Sequence, residues 1–271
     1  MRQVRQAAVA GAFYAGQGQA LSNEVAHLLA DAAAQSKKIN GAVKALIVPH
    51  AGYQYSGPTA AQAYALLAHV HPSIQRVVLL GPVHRVPVRG LALPGATAFA
   101  TPMGEVEVDQ AAIASLSGLR QVTVSPTVHA FEHSLEVQLP FLQTVLGNFK
   151  LVPLAVGDAS AEEVAEVLEF LWGGPETLIV ISSDLSHYLP YNTAQAVDQK
   201  TVQAILDLNG PLTHQQACGG TPINGFMLAA KLHRLRPRLL GVCNSGDTAG
   251  DKQRVVGYAA FAFTQGDHGT A

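Results

Sequence analysis

The feature that most constrains this chain is a set of short apolar runs without alternation. Leu178-Ile179-Val180-Ile181 is the clearest, and Ala45–Val48 and Arg76–Leu80 are of the same kind. A strand apolar on both faces must be covered on both, as in a parallel sheet flanked by helices. Longer stretches of helical period separate these runs. Strands are predicted at Ala45–Val48, Arg76–Leu80, Leu151–Val156, Thr177–Ser182, Leu239–Cys243 and Arg254–Phe263. Helices are predicted at Leu21–Ala34, Thr59–Ala68, Leu135–Leu146, Ala161–Leu171, Thr193–Leu208 and Asn224–Leu235. In the fourth helix, Ser160 and Glu163 have capping-box spacing ahead of a Val164, Val167, Leu168, Leu171 stripe. The stretch Gly90–Thr123, broken by Pro94, Gly95, Pro102 and Gly104, reads as an irregular hairpin or edge segment. The expected fold is α/β, with a central mixed, largely parallel sheet and helices on both faces.

Composition fits one large core. Of 271 residues, 48% are hydrophobic and 13% charged, far from the signature of disorder. No linker or repeat divides the chain, so residues 1–271 are expected to form one domain, with 265–271 a frayed tail. Seventeen basic against nineteen acidic residues leave a charge of -2 and no basic stripe, which argues against nucleic acid. No apolar run approaches the ~20 residues that span a bilayer, so no membrane association is expected. Cys218 and Cys243 form neither a disulfide framework nor a Cys-x-x-Cys pattern, and the start lacks a secretory apolar stretch. A cytoplasmic setting is expected.

Three of the strands run straight into histidine-bearing loops. These are Pro49-His50-Ala51-Gly52-Tyr53, Gly81-Pro82-Val83-His84 and Ser183-Asp184-Leu185-Ser186-His187-Tyr188. One histidine after a strand is ordinarily a hydrogen-bonded surface or core residue. Three in the same topological place imply convergence, because ligands in open α/β sheets bind beyond the carboxyl ends of the strands. Gly52 and Gly81 are expected to permit backbone turns that a Cβ would hinder. Neutral imidazoles at His50 and His84 suit Fe(II), Cu or Zn. Candidates for a third ligand are Asp184, Asp247 and Cys243. His187, three residues after Asp184, has the chemistry of a general acid or base. In Glu132-His133-Ser134-Leu135-Glu136, the spacing of His133 and Glu136 puts both on one helix face, and bracing is favoured over ligation. Glu132 or Ser134 is expected to cap that helix. Tyr53 and Tyr188 are candidate hydroxyl donors, though packing is the better expectation for each. No Gly-x-Ser-x-Gly elbow or phosphate loop is present.

With these motifs, Ala8-Val9-Ala10-Gly11-Ala12-Phe13-Tyr14, Cys218-Gly219 with Pro222-Ile223, and Val255-Val256-Gly257-Tyr258-Ala259, the chain resembles the Memo family. The likeness is to its prokaryotic branch, AmmeMemoRadiSam system protein B, and covers nearly the whole sequence. It implies the LigB-like fold of class III extradiol dioxygenases, which use non-haem iron. It further implies that His50 and His84 bind metal, that His187 is the acid/base histidine and that Asp184 is a site aspartate. The family's animal members carry a metal-linked cysteine about ten residues before the closing Tyr-Ala. Counting back from Tyr258 reaches Thr248, with Cys243 five residues further, so a His-His-Cys site is not expected. Asp247, Asp184 or water is then left for the third place. Implied partners are an AMMECR1-like protein and a radical SAM protein, with a peptide as a further ligand. Three readings follow: a metal-dependent oxidoreductase with Fe(II) or, in second place, Cu or Zn; a non-catalytic peptide-binding or pathway-partner module with a vestigial site; and, more weakly, metal-assisted hydrolysis.

Overall fold

The computed structural model describes residues 3–35, 39, 41–69 and 73–265. Apart from Gln265, the expected frayed tail lies outside these residues. The chain begins with β1 (Val4–Arg5), α1 (Gly18–Gln35), β2 (Val43–Val48), α2 (Tyr53–Tyr64), β3 (Arg76–Pro82) and β4 (Leu91–Leu93). It continues through β5 (Ala98–Thr101), β6 (Gly104–Glu107), α3 (Gln110–Ala114), β7 (Val122–Val124), α4 (Pro126–Ala130), α5 (Leu139–Leu146) and β8 (Lys150–Val156). It ends with α6 (Ala161–Leu171), β9 (Thr177–Ser182), β10 (His187–Leu189), α7 (Tyr191–Leu206), α8 (Gly220–Leu232), β11 (Arg236–Asn244) and β12 (Val255–Thr264).

The doubly apolar runs lie side by side. β2, β9, β3 and β8 are mutually parallel, with Val48 opposite Ser182, Leu80 opposite Ile181 and Pro82 opposite Val156. Antiparallel strands extend this centre on both sides: β12 joins β2, and β4 joins β8. β10 and β11 both pair with β12, while β7 closes the other edge beside β4. The sheet is therefore mixed and largely parallel at its centre.

Period-two alternation decides which face each side chain serves. Leu46, Val48, Val77, Leu79, Leu178 and Val180 pack with α1, α2 and α5. Ala45, Ile47, Val78, Leu80, Ile179 and Ile181 pack with α6, α7 and α8. Burying a Val, Leu or Ile side chain is worth about 1.5–3 kcal/mol, so this two-sided burial holds the strand ends in fixed register. The α6 capping box is present as expected, with Ser160 accepting from the Glu163 N–H and Glu163 from the Ser160 N–H. Among the described residues, no helix is long and apolar enough to cross a membrane.

Two helices differ from expectation. α2 starts at Tyr53 rather than Thr59 and carries Pro58 inside it, ending in a 3-10 turn over Ala65–His69. Pro58 removes one hydrogen bond there without ending the helix. The predicted helix Leu135–Leu146 begins instead as a 3-10 turn, Glu136–Gln138, and becomes α-helical only at Leu139. Pro140 sits in the first turn of α5, where its missing N–H costs nothing. The irregular stretch Gly90–Thr123 resolves into the β5–β6 hairpin, β4 and α3, with β7 starting at Val122. β1 pairs parallel with β5, making a separate three-stranded sheet that ties down the N-terminal segment.

Candidate metal centre

The parallel register brings the carboxyl ends of β2, β9 and β3 together, and their loops deliver His50, Asp184 and His84 to one rim. One nitrogen each of His50, His84 and His133 lies within 4.8 Å of the other two. The His50 and His84 rings are 5.2 Å apart edge-on, and those of His84 and His133 stack at 4.6 Å. The sequence reading gave His133 a bracing role, but the structure brings it into the cluster. The spacing of 133 and 136 misleads because this segment is a 3-10 turn preceded by loop, not an α-helix face.

Hydrogen bonds fix which ring nitrogen faces the cluster. The Ser182 hydroxyl donates to the Ser134 carbonyl at 2.6 Å and accepts from the Gln138 amide at 2.8 Å. It therefore accepts from His50 Nδ1–H at 2.9 Å, leaving the Nε2 lone pair directed inward. Burial, and then the neighbouring His133 and His84, hold the His50 imidazole neutral far below its ordinary titration range. His84 is oriented by a carboxylate: Glu132 accepts its main-chain N–H at 2.6 Å and its Nδ1–H at 2.9 Å. Burial works to raise the Glu132 pKa, but the His84 contacts and the Ser134 N–H outweigh it and bring it to about 2. Glu132 also accepts from the Ser134 N–H at 3.0 Å, within the loop ahead of the 3-10 turn rather than as the expected helix cap, since neither that turn nor α5 has a side-chain cap. Burial and the adjacent His84 lower His133 to about 4. Three imidazoles at this spacing, two with their outer nitrogens already committed, suit a borderline divalent cation.

Asp184 is buried behind His50, its Oδ1 accepting the His50 N–H at 2.7 Å. Burial raises its pKa to about 7 against the opposing His50 and Ala51 N–H bonds and His84. His187 lines the same cleft as the three imidazoles. Its Nδ1–H donates to the Leu185 carbonyl at 2.8 Å, which leaves Nε2 as the free acceptor. The loop is pinned by Leu185 N–H to Gly257 O at 2.8 Å and by Ser186 N–H to the buried Asp198 at 3.0 Å. Tyr188 then takes a left-handed φ of +58°, turning its ring out to 62% exposure beneath the Arg254 guanidinium.

Other expected residues stand elsewhere. Asp247 accepts from the Tyr191 hydroxyl and the Asn244 N–H, outside the imidazole cluster. Cys243 meets Thr59 Oγ1 at 3.1 Å and pairs with Tyr258 across β11 and β12. Neither completes the cluster. Tyr53 donates to the Val137 carbonyl at 2.8 Å in the core, the packing role favoured for it. Glu136 is buried and anchors the N-terminal segment.

Three residues escaped the sequence reading. Glu132 was read only as a cap, and Asp198 sits on α7 far along the chain. Cys218 lies far outside the spacing counted back from Tyr258, yet its Sγ lies 3.3 Å from His50 Nε2. Its Cys218-Gly219 motif was the available signal: a Cβ at Gly219 would fall 2.6 Å from Ser183 Cβ, so the glycine lets this segment close on the site. Gly81 likewise serves close approach rather than a turn, since a Cβ there would fall 2.8 Å from Ser134 Oγ. At Gly52 the expected constraint is absent: its φ is -56° and a Cβ would meet only ordinary contacts.

The imidazoles open onto a cleft of about 1380 Å3, walled by Phe13, Val88, Tyr55 and Val256. A family model described as Memo-like protein matches residues 5–262. MEMO1 family protein Mbar_A1422 of Methanosarcina barkeri is 36% identical, covering 95% of this chain and 99% of its own. MEMO1 family proteins of Methanococcoides burtonii and Sulfolobus acidocaldarius are 37% and 35% identical, each over 99% of its own length and at least 95% of this chain. The solved structure of the uncharacterized protein JW3007 from Escherichia coli K12 superposes with a TM-score of 0.52 at 16% identity, covering 80% of this chain and 99% of that one. This last likeness is one of fold. The agreement over nearly the full length, with the family model and with the archaeal proteins, means that the chain belongs to the Memo-like family.

Proposed function

We propose that His50, His84 and His133 hold one divalent ion, Fe(II) first and Cu or the redox-inert Zn next, and that with Fe or Cu the protein is an oxidoreductase acting on a small substrate in the adjoining cleft. The observation that carries this reading is the approach of three imidazoles within 4.8 Å. Such an ion supplies Lewis acidity and, if Fe or Cu, one-electron chemistry at its open positions. The rest of the work falls to the protein. Ser182 and Glu132 present the Nε2 lone pairs of His50 and His84. His187, neutral at pH 7 because burial lowers its pKa and with Nε2 free, accepts a proton from substrate and later returns it. Phe13, Val88 and Val256 give the cleft an apolar wall against which a small substrate would pack.

Anaerobically prepared protein is expected to bind about one equivalent of Fe(II), and His50→Ala with His84→Ala to abolish that binding. Full occupancy in the double variant sinks the assignment. Oxygen uptake with small aromatic substrates should depend on His187; metal binding without any such turnover favours a second reading. That reading is a binding module for a peptide or for an AMMECR1-like or radical SAM partner. It is supported by the cleft, which at about 1380 Å3 exceeds the roughly 300–1,000 Å3 usual for small-molecule sites.

A further inference from the structure

Outside the imidazole cluster, the Glu136 carboxylate is wholly buried with four donors on its two oxygens. Oε2 accepts from Arg5 Nη1 and from the Ala8 N–H at 2.8 Å. Oε1 accepts from the Val9 N–H at 3.0 Å and from the Tyr14 hydroxyl. Its acceptor capacity is filled. Arg5, itself buried, spreads the other arms of its guanidinium over the loop that precedes Glu136. Its Nε donates to the His129 carbonyl at 3.0 Å and its Nη2 to the Glu132 carbonyl. One guanidinium thus grips residues 129, 132 and 136, the loop carrying both the carboxylate that orients His84 and the imidazole of His133.

The same N-terminal segment reaches the site from the other side. Phe13 packs its ring 4.9 Å from the His133 ring, and its carbonyl accepts the Tyr53 N–H at 2.7 Å, just beyond the His50 loop. A buried ion pair is a poor source of net stability, because desolvating both charges offsets most of their attraction. Its arrangement here fixes geometry. We propose that Arg5 and Glu136 are positioning residues for the metal centre: they strap the N-terminal segment to the 129–136 loop, and so hold His133 at the distance from His50 and His84 that three-point ligation requires. This rests on the metal reading above and adds to it a means by which residues 5–14 complete the site.

Co(II) alone is the probe, since its visible d–d absorption reports ligand number and geometry. Wild-type protein should take up one equivalent. Glu136→Gln and the milder Tyr14→Phe should each weaken Co(II) binding, Glu136→Gln by about 10- to 100-fold as for other groups that orient ligands. Each should move the d–d spectrum toward that of His133→Ala. Adding Glu136→Gln to His133→Ala should cost little more than His133→Ala alone, because the strap acts through that ring. Lys44→Met, which removes a buried cation at the far end of β2 from His50, should lower the melting temperature and leave the spectrum unchanged. A wild-type spectrum in Glu136→Gln and Tyr14→Phe, or full additivity with His133→Ala, overturns the proposal. Failure of wild-type protein to bind Co(II) overturns the metal reading instead. If Glu136→Gln does not fold, Tyr14→Phe decides alone, since it keeps the ring and removes one hydrogen bond.

Discussion

Glu132 grips His84 twice, taking its main-chain N–H at 2.6 Å and its ring Nδ1–H at 2.9 Å. The double contact fixes ring orientation and tautomer together, so the inward lone pair is set before any ion arrives. Glu132→Gln keeps the shape, but its amide nitrogen cannot accept a hydrogen bond. Metal affinity should fall by about 10- to 100-fold, read by competition against a chromogenic chelator. Unchanged affinity would remove the orienting role.

Gly81 faces Ser134 so closely that a Cβ would sit 2.8 Å from its Oγ and 3.0 Å from Leu135 Cδ2. The Ser134 hydroxyl is not free to yield, because it donates to the Pro82 carbonyl at 2.8 Å. Gly81→Ala should destabilise the fold by about 1–3 kcal/mol, as for other overpacked interiors. It should also displace the neighbouring Glu132 and His133. Urea unfolding and metal titration on one preparation would test both effects, and a neutral result in both would show that the loop moves freely.

The sheet was legible because runs such as Leu178–Ile181 admit only two-sided burial, and His50, His84 and His187 because each follows such a run. The α6 boundaries were legible because Ser160 and Glu163 form a local device that needs no tertiary context. What the sequence hid was long-range or non-helical. His133 reaches the cluster from the loop ahead of a 3-10 turn, so α-helical spacing with Glu136 could not place its ring beside His50 and His84. Cys218 meets His50 across 168 positions, and Arg5 meets Glu136 across 131. Neither meeting leaves a periodicity to read. The weak strands between Gly90 and Thr123 owe their pairing to neighbours rather than to their own pattern.

Cys218 sits beside His50 as a protonated thiol: burial and then the Asp184 carboxylate push its pKa up to about 12. The thiolate is the reactive form, so Cys218 of metal-free protein should resist alkylation at pH 8. Cys243 is raised mainly by burial and is eased by its Thr59 hydrogen bond. It should be labelled first, and mass spectrometry of peptides from a timed iodoacetamide reaction would give the order. Faster labelling at Cys218 would mean that it carries a thiolate in the metal-free state.

Acid should unfold the metal-free protein through its buried histidines. Burial lowers His129 to about 4, outweighing the hydrogen bond to the Ala92 carbonyl, and lowers His133 to about 4 as well. An unfolded histidine takes its proton near 6.5. Between pH 6.5 and 4 the unfolded chain therefore binds more protons than the folded one, and stability falls as pH falls. The neutral rings contribute their full stabilisation above pH 6.5 and lose it progressively down to about 4. At pH 5 the loss should be roughly 2 kcal/mol per histidine, from 1.36 kcal/mol for each pH unit below 6.5. His129 lies outside the imidazole cluster, so His129→Gln isolates its share: the amide still reaches the Ala92 carbonyl, and the slope of unfolding free energy against pH should shrink by about one proton. Urea unfolding at pH 7, 6 and 5 in the presence of a chelator measures both slopes. Identical slopes for variant and wild type would show that the folded protein protonates His129 as readily as the unfolded chain does.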